Sequence, residues 1–435
     1  MTAPAKVAII GLGTIGTGVA RLLLEQKERI ARHAGRAIEL AYVIDADTRR
    51  KRNFALPPGL LTSDLKVVLD DPDVSVAVEL VGGLEPARTI VLKLLESGMS
   101  VVTANKALLA EHGRELFDRA REKGCSIAFE GAVAGGIPII ASINECLIAN
   151  QIESIHAILN GTSNFILTQM EEHGTDYGAA LSEAQQRGYA EANPFMDVSG
   201  SDAAQKLAIL AHLAFSAHVN WRDIPRIGID IVTASDMQFA KELGYSIKLL
   251  AVAERVPEGL ELHVSPTLVR LGTPLAEVRG AYNAIRVVGD AVGRVFFHGL
   301  GAGQMPTASA VVSDIVDTVL GRMAITFNAL KLWSDGREAL IQPRNPADVM
   351  GRYYLRFNVD DRPGVMADIA GILGKHKISI ASLIQHENDE EEESRAVPLV
   401  IMTHSAAEGA MRDALQAIEV LSSVHPGTVR MRIRN

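Results

Sequence analysis

Three acids and one lysine fall within a single stretch of the chain, Gly188–Lys206: Glu191, Asp197, Asp202 and Lys206. Asp202 and Lys206 stand four residues apart in a segment with Leu207, Leu210 and Leu213 at helical spacing, so they share one face of a predicted helix. Ser201 is its expected N-cap. Taken alone, an Asp–Lys pair at this spacing most often forms a surface ion pair. Glu191 and Asp197 change that reading, because they arrive from the Gly- and Pro-containing loop that leads into the same helix end. Carboxylates gathered there suit a substrate carrying an ammonium group, and a lysine suits proton transfer at a carbonyl or hydroxyl oxygen.

The second chemical signature is near the start of the chain. The apolar run Val7–Ile10 is followed by Gly11-Leu12-Gly13-Thr14-Ile15-Gly16 and then by a helical pattern through Val19, Leu22 and Leu23. Gly11 permits a tight turn, Gly13 lets a pyrophosphate approach the backbone, and Gly16 lets the helix pack on the strand. The N–H groups of the first turn, from Thr14 and Ile15 onward, would hold the anion. The spacing alone is weak, but its strand–turn–helix context makes it a dinucleotide site. Asp45 closes the next apolar run, where an acid binds a ribose hydroxyl and favours NAD. Arg49 and Arg50 lie just beyond, where they pair with a 2′-phosphate if NADP is bound, or are simply solvated. The residues leave that choice open.

Elements that position these groups follow from hydrophobic patterning. Apolar runs at Val7–Ile10, Leu40–Ile44, Val74–Val81, Ser100–Thr103 and Ser126–Phe129 alternate with helical segments. That alternation predicts a parallel sheet covered on both faces. From Gly135 to about Ile341 the pattern is mixed, with helices at Asp202–Phe215 and Asp236–Leu243 and strands at Ile155–Leu159, Ile247–Ala253 and Ala284–Gly289. Gln342–Ala347 reads as a linker. The tail then runs strand (Tyr353–Val359), helix (Val365–Lys375), strand (Ile378–Gln385), strand (Val397–Thr403), helix (Ala407–Leu421), strand (Thr428–Ile433). That order is ferredoxin-like. The acidic run Asn388–Ser394 between its middle strands is expected to be a solvated loop tip.

At 435 residues the chain is long enough for about three domains. A net charge of −9 disfavours nucleic-acid and anionic-membrane partners, and the short basic cluster Arg49–Arg52 does not reverse it. No apolar run is long enough to span a bilayer. Two cysteines, Cys125 and Cys146, form no CxxC pattern, which fits a reducing, cytoplasmic setting, and the N-terminus carries no signal-peptide pattern. Asn160-Gly161-Thr162 matches a glycosylation sequon, read as a chance match. The histidines show no HxxxH or HExxH spacing, which argues against a catalytic zinc, and His212 and His218 read as ordinary helix-end residues.

The sequence resembles homoserine dehydrogenases. The resemblance rests on Gly11–Gly16, Thr103-Ala104-Asn105-Lys106, Glu130–Pro138, Leu159–Asn164, Gly188–Lys206 and Gly299–Thr307, in family order over roughly residues 6 to 320. The tail is similar to an ACT domain, with Asp361-Arg362-Pro363-Gly364 at the strand-to-helix turn. The implied fold class is α/β: a Rossmann-type parallel sheet over 1–134, an α+β catalytic and dimerisation domain over 135–341, and a ferredoxin-like ACT regulatory domain over 350–435. The implied activity is reversible reduction of L-aspartate 4-semialdehyde to L-homoserine with NADP or NAD, in threonine and methionine biosynthesis.

On this resemblance Lys206 is the proton donor, Glu191 and Asp202 hold the substrate with Asp197 beside them, and Lys106 lies between cofactor and substrate. Thr103, Gly188 and Gly303 join the glycine turn as cofactor contacts. Glu130, Val133, Gly135 and Ile137 correspond to a monovalent-cation site, sodium in the family, formed largely by carbonyls. The ACT tail implies threonine as effector and a homodimer or homotetramer. Two departures are Asn193-Pro194 where Asp-Pro is more typical and Ser163 where threonine is commoner; the acidic Asp45 stands where NADP preference calls for a basic residue. Two other readings are another amino-acid dehydrogenase with an ACT tail, and a catalytically silent amino-acid sensor. The joint presence of Glu191, Asp202 and Lys206 opposes the second.

Overall fold

The computed structural model describes residues 3–333, 341–386 and 396–434. The chain forms two compact units, each assembled from separated segments. The first comprises Met1–Glu153, Gln205–Asp223 and Asn283–Gln342; the second comprises Ser154–Ala204, Ile224–Tyr282 and Pro343–Asn435.

The first unit is built on a six-stranded sheet of β1 (Ala5–Ile10), β2 (Ile38–Ile44), β3 (Leu61–Thr62), β4 (Val74–Glu79), β5 (Ser100–Thr103) and β6 (Ile127–Ala128). Their order is β3-β2-β1-β4-β5-β6 and every pairing is parallel. Four of the five expected runs match these strands within a few residues. The fifth, Ser126–Phe129, shortens to two residues, and β3 was not expected because two paired residues carry no periodicity. The order reverses between β1 and β4, and such switch points in open α/β sheets are where ligands bind, beyond the strand ends. The core joins Val7, Ile9, Val76, Val78 and Val102 to Val19 and Leu23 of the helix Thr14–Glu25. Ala308, Val311 and Ile315 of the helix Gln304–Val319 complete it. Gly18 permits that helix pair: a Cβ there would lie 2.9 Å from Gln304 Cγ and 3.0 Å from Ala308 Cβ.

The second unit carries β7 (Ile152–Ile158), β8 (Tyr245–Val256), β9 (Gly259–Arg270), β10 (Met350–Asp360), β11 (Ile380–Gln385), β12 (Ala396–Thr403) and β13 (Val424–Arg434). They lie in the order β7-β8-β9-β13-β10-β12-β11. The tail strands alone read fourth, first, third, second, the antiparallel ferredoxin-like arrangement expected from the sequence. The helices Val365–Lys375 and Glu408–Glu419 cover it with Ile369, Leu373, Met411 and Ile418 packed on Tyr353, Leu355 and Phe357. Residues Asn388–Ser394, expected as a loop tip, lie outside the described residues.

The tail sheet does not stop at its own edge. β13 pairs in parallel with β9 through Arg432↔Thr267, Ile433↔Leu268 and Arg434↔Val269. The segment expected as a linker is also held: Arg344 N donates to Leu260 O at 2.9 Å and its guanidinium to Glu261 at 2.6 Å. Asp236, fully buried, closes a capping box on the helix Ala234–Glu242 and accepts from Arg356 Nε at 2.7 Å and Tyr354 Oη at 2.9 Å. An unpaired charge at that depth would cost several kcal/mol, so this cluster makes the packing of β10 specific.

Candidate active site

Each glycine of the first turn has a distinct geometric reason. Gly11 adopts φ +100°, and a Cβ there would lie 2.6 Å from the backbone of Leu80. At Gly16 a Cβ would sit 2.0 Å from Gly11 O. Gly13 has nothing within 4 Å of where its Cβ would be. The protein itself places no demand on Gly13, so its openness leaves the helix N-terminus accessible to a ligand.

Asp45 is held by protein groups. Its Oδ2 accepts from Leu12 N at 2.7 Å, its Oδ1 from Asp47 N at 2.9 Å, and Arg52 lies 3.2 Å away. Arg52 is fixed in turn by Leu12 O and Asp47 O. Asp45 therefore ties the glycine turn to the loop after β2. Arg49 and Arg50 are exposed, and Arg50 lines a cavity of about 350 Å³ with Leu12, Thr48 and Arg52.

Thr103 ends β5 with its hydroxyl donated to buried Glu79 at 2.7 Å. Glu79 also accepts from Val81 N and Gly82 N, so its three donors offset its burial. Asn105 caps the helix Lys106–Glu122 by accepting from Leu108 N. Lys106 is its first residue, partly exposed.

The loop and helix that carry the acids are organised by a residue that sequence reasoning passed over. Asn160 precedes the helix Gly161–His173, and its Oδ1 accepts from Ser163 N at 2.8 Å as the N-cap. Its Nδ2 donates to Asp197 Oδ1 at 2.8 Å and to Asp202 Oδ2 at 2.9 Å. Ser163 Oγ donates to Asp197 O at 2.9 Å. One amide thus spends its acceptor on a helix end and both donors on two carboxylates. Asp202 is 5% exposed and Lys206, one turn further along the helix Ser201–Phe215, is 8% exposed. A surface ion pair is excluded by that burial. Ser201 is the first helical residue rather than the cap; Ser199 Oγ accepts from its N–H.

Glu191 differs from the other two acids. It sits in the exposed loop after the helix Tyr177–Gln186, and its backbone carbonyl accepts from Gln185 Nε2 at 3.2 Å. Gly188 has φ +75° with open space around it, so the left-handed conformation that ends that helix accounts for glycine there. Gly303, at φ +124°, opens the helix Gln304–Val319. His212 is no ordinary helix-end residue: it is buried, stacks on Trp333 at 4.3 Å, and its Nε2 accepts from Trp333 N at 2.8 Å.

The remaining group is a turn of close backbone. Ala134 and Gly135 adopt φ +54° and +25°, and a Cβ on Gly135 would lie 2.8 Å from Thr307 Oγ1. Glu130 is buried beside it, accepting from Ile140 N at 2.9 Å and Ala141 N at 2.8 Å. Its own N–H donates to Asp314 Oδ2 at 2.8 Å. Burial pushes the Glu130 carboxyl up to about 7 and raises Asp314 well above the usual carboxylate range. Both line a cavity of about 280 Å³ that Glu145 and Asp317 also line and, among the described residues, no Lys, Arg or His does.

Comparison with known proteins decides the family. A model described as homoserine dehydrogenase matches residues 138–316, one described as its NAD-binding domain matches 11–130, and an ACT-domain model matches 353–422. The chain is 44% identical to the homoserine dehydrogenase of Pseudomonas aeruginosa over 432 residues, covering 99% of both. The chain belongs to the homoserine dehydrogenase family. It is thereby an NAD(P)-dependent oxidoreductase with a C-terminal ACT domain. The crystal structure of a homoserine dehydrogenase from Thiobacillus denitrificans superposes with a TM-score of 0.91 at 41% identity, covering 100% of this chain and 99% of that one. A hyperthermophilic archaeal homoserine dehydrogenase in complex with NADPH covers 73% of this chain and 98% of its own at a TM-score of 0.59 and 25% identity. Among the described residues no helix is long and apolar enough to cross a membrane.

Proposed function

We propose that the chain interconverts L-aspartate 4-semialdehyde and L-homoserine with Lys206 as the proton-transfer group. The observation that carries this is the Asn160 clamp, which holds Asp197 to Asp202, and Asp202 stands one helical turn before a buried lysine. The two carboxylates receive the substrate ammonium, and Glu191 swings in from its exposed loop as a third acid. A bound nicotinamide supplies the hydride to the aldehyde carbon. As charge develops on the oxygen, the Lys206 ammonium donates its proton there; in the oxidation direction the neutral amine takes it back. Lys106, the first residue of its helix, is the second lysine that this reading assigns to the reaction. Thr103, Gly188 and Gly303 contribute backbone rather than side chain to the cofactor contact.

NADP is the preferred cofactor in this reading. Asp45 is committed to Leu12 N and Arg52, which leaves it a poor partner for ribose hydroxyls, while Arg50 lines the cavity beside Leu12 with Arg49 next to it. In Arg50→Gln, kcat/KM for homoserine oxidation with NADP should fall roughly tenfold, the worth of about 1.4 kcal/mol, and stay nearly constant with NAD. Equal losses with both cofactors would reject Arg50 as the 2′-phosphate contact.

A monovalent cation such as sodium fits the turn of Glu130, Val133, Gly135 and Ile137. A buried carboxylate beside a second one, in a cavity without a basic side chain, supports oxygen ligation of a hard cation there. It acts as an organiser of the turn, not as a group in the reaction. The ACT tail supports threonine as effector and a homo-oligomer as the working form, and the sparse cysteines without a CxxC pattern support a cytoplasmic setting; threonine titration of the rate tests the first.

A further inference from the structure

The second unit contains a cavity of about 300 Å³ that none of these roles uses. Arg226, Arg412, Arg430 and Arg432 line it, with Glu408 as the one acid. Glu408 is already saturated: it pairs with Arg430, accepts from Arg432 Nη2 at 2.5 Å and from Tyr353 Oη at 2.9 Å. Arg412 reaches Asp413 at 3.3 Å, but on the exposed side of its helix. Positive charge therefore exceeds negative charge around the cavity.

Two residues that line this cavity each carry a buried polar atom with no hydrogen-bond partner among the described residues: Nε2 of His263, a residue only 3% exposed, and Nη1 of Arg432. His263 Nδ1 is engaged with Ser265 Oγ at 3.2 Å, and burial beside Arg432 and Arg434 holds the ring neutral. Leaving such groups bare costs about 1–3 kcal/mol each. An anion with two or more oxygens satisfies the guanidinium and accepts from the imidazole in its Nε2–H tautomer.

The cavity wall also leads to the acids. Arg226 belongs to a strip laid along β9, where Ile227 N donates to Val264 O and Val264 N to Pro225 O, both at 2.9 Å. Two residues on, Ile229 N donates to Val198 O at 2.9 Å, and a Cβ on Gly228 would lie 2.7 Å from that same oxygen. Val198 directly follows Asp197. We infer that this cavity is a binding site for a small oxyanion, carboxylate or phosphate, and that its occupancy is transmitted through Arg226–Ile229 to the Asp197 turn. The transmission, but not the binding, rests on the proposed role of that turn.

The test is calorimetric titration of the full chain, saturated with NADP⁺ to occupy the nucleotide cavity, with inorganic phosphate and separately with malonate at constant ionic strength. Saturable binding is expected for one of them, and which one names the oxyanion. Arg412→Gln, which alters an exposed side chain, should weaken it at least tenfold. Absence of saturable binding by both probes, or binding indifferent to Arg412→Gln, overturns the site. The bound probe should also shift the homoserine KM by roughly fivefold in the wild type and not in Arg412→Gln. Tight binding with an unmoved KM overturns the transmission while leaving the site.

Discussion

Two pairs of acids in this chain are compensated in different ways. Asp197 and Asp202 share the two N–H groups of the Asn160 side chain, with Lys206 one turn along the helix. Glu130 and Asp314 have backbone N–H groups as their donors and a cavity that no basic side chain lines among the described residues. The side-chain clamp sets the spacing of two carboxylates so that a cationic group can arrive between them and a proton donor. The backbone-held pair has no positive partner among the described residues, and burial raises both carboxyls instead. In the proposed reading such a pair suits a cation, whereas the clamped pair suits a substrate ammonium.

The largest expected effect separates chemistry from binding at the clamped pair. Lys206→Ala should lose roughly 10²–10⁴-fold in kcat while cofactor affinity, followed by nicotinamide fluorescence, stays near wild type. Turnover within a few-fold of wild type would remove Lys206 from the reaction. Asn160→Ser comes next. Serine keeps an N-cap acceptor for Ser163 N but removes both amide donors. Each lost hydrogen bond to a charged group is worth about 1.5–3 kcal/mol, so KM for homoserine should rise roughly 10–100-fold with kcat changed far less. A fall in kcat at constant KM would mean that the clamp positions Lys206 rather than the substrate acids.

How far these pairs could be read from sequence depends on how local their causes are. Strand runs, the glycine turn and the strand–helix order of the tail are written in short-range patterning, and the structure repeats them within a few residues. The acids proposed to hold the substrate could be grouped because they lie in one segment, and the structure brings Asp197 and Asp202 together on one amide. Asn160 was not: it read as a sequon, and only folding brings it to Asp197 and Asp202, more than thirty residues away. The capping pattern Asn160-Gly161-Thr162-Ser163 was the available signal. Gly18 had no local reason either, since its need for a missing Cβ comes from Gln304 and Ala308. Asp45 shows the opposite failure. Its position at a strand end was read correctly, but the groups that engage it, Leu12 N and Arg52, are set by the turn and loop around it.

The smallest effect belongs to the backbone-held pair and shows as a slope with pH. The Glu130 carboxyl is raised from 4.5 to about 7 in the folded chain. Between those values the folded state holds a proton that the unfolded chain has released. Its stabilising contribution is therefore full below about pH 4.5 and is lost as pH rises through 7. The difference amounts to about 3 kcal/mol, a shift of a few degrees in Tm for a chain of this size. A cation on the turn favours the carboxylate and should cancel much of that loss. Wild-type Tm in sodium chloride and in choline chloride should thus coincide near pH 5 and separate near pH 8, with sodium the higher. Glu130→Gln keeps the shape but cannot ionise, so its Tm should show neither the fall between about pH 4.5 and 7 nor the sodium dependence. A wild-type chain whose Tm at pH 8 is the same in both salts would refute the cation at this turn, and the contrast between the two pairs would then reduce to a difference in hydrogen-bond donors.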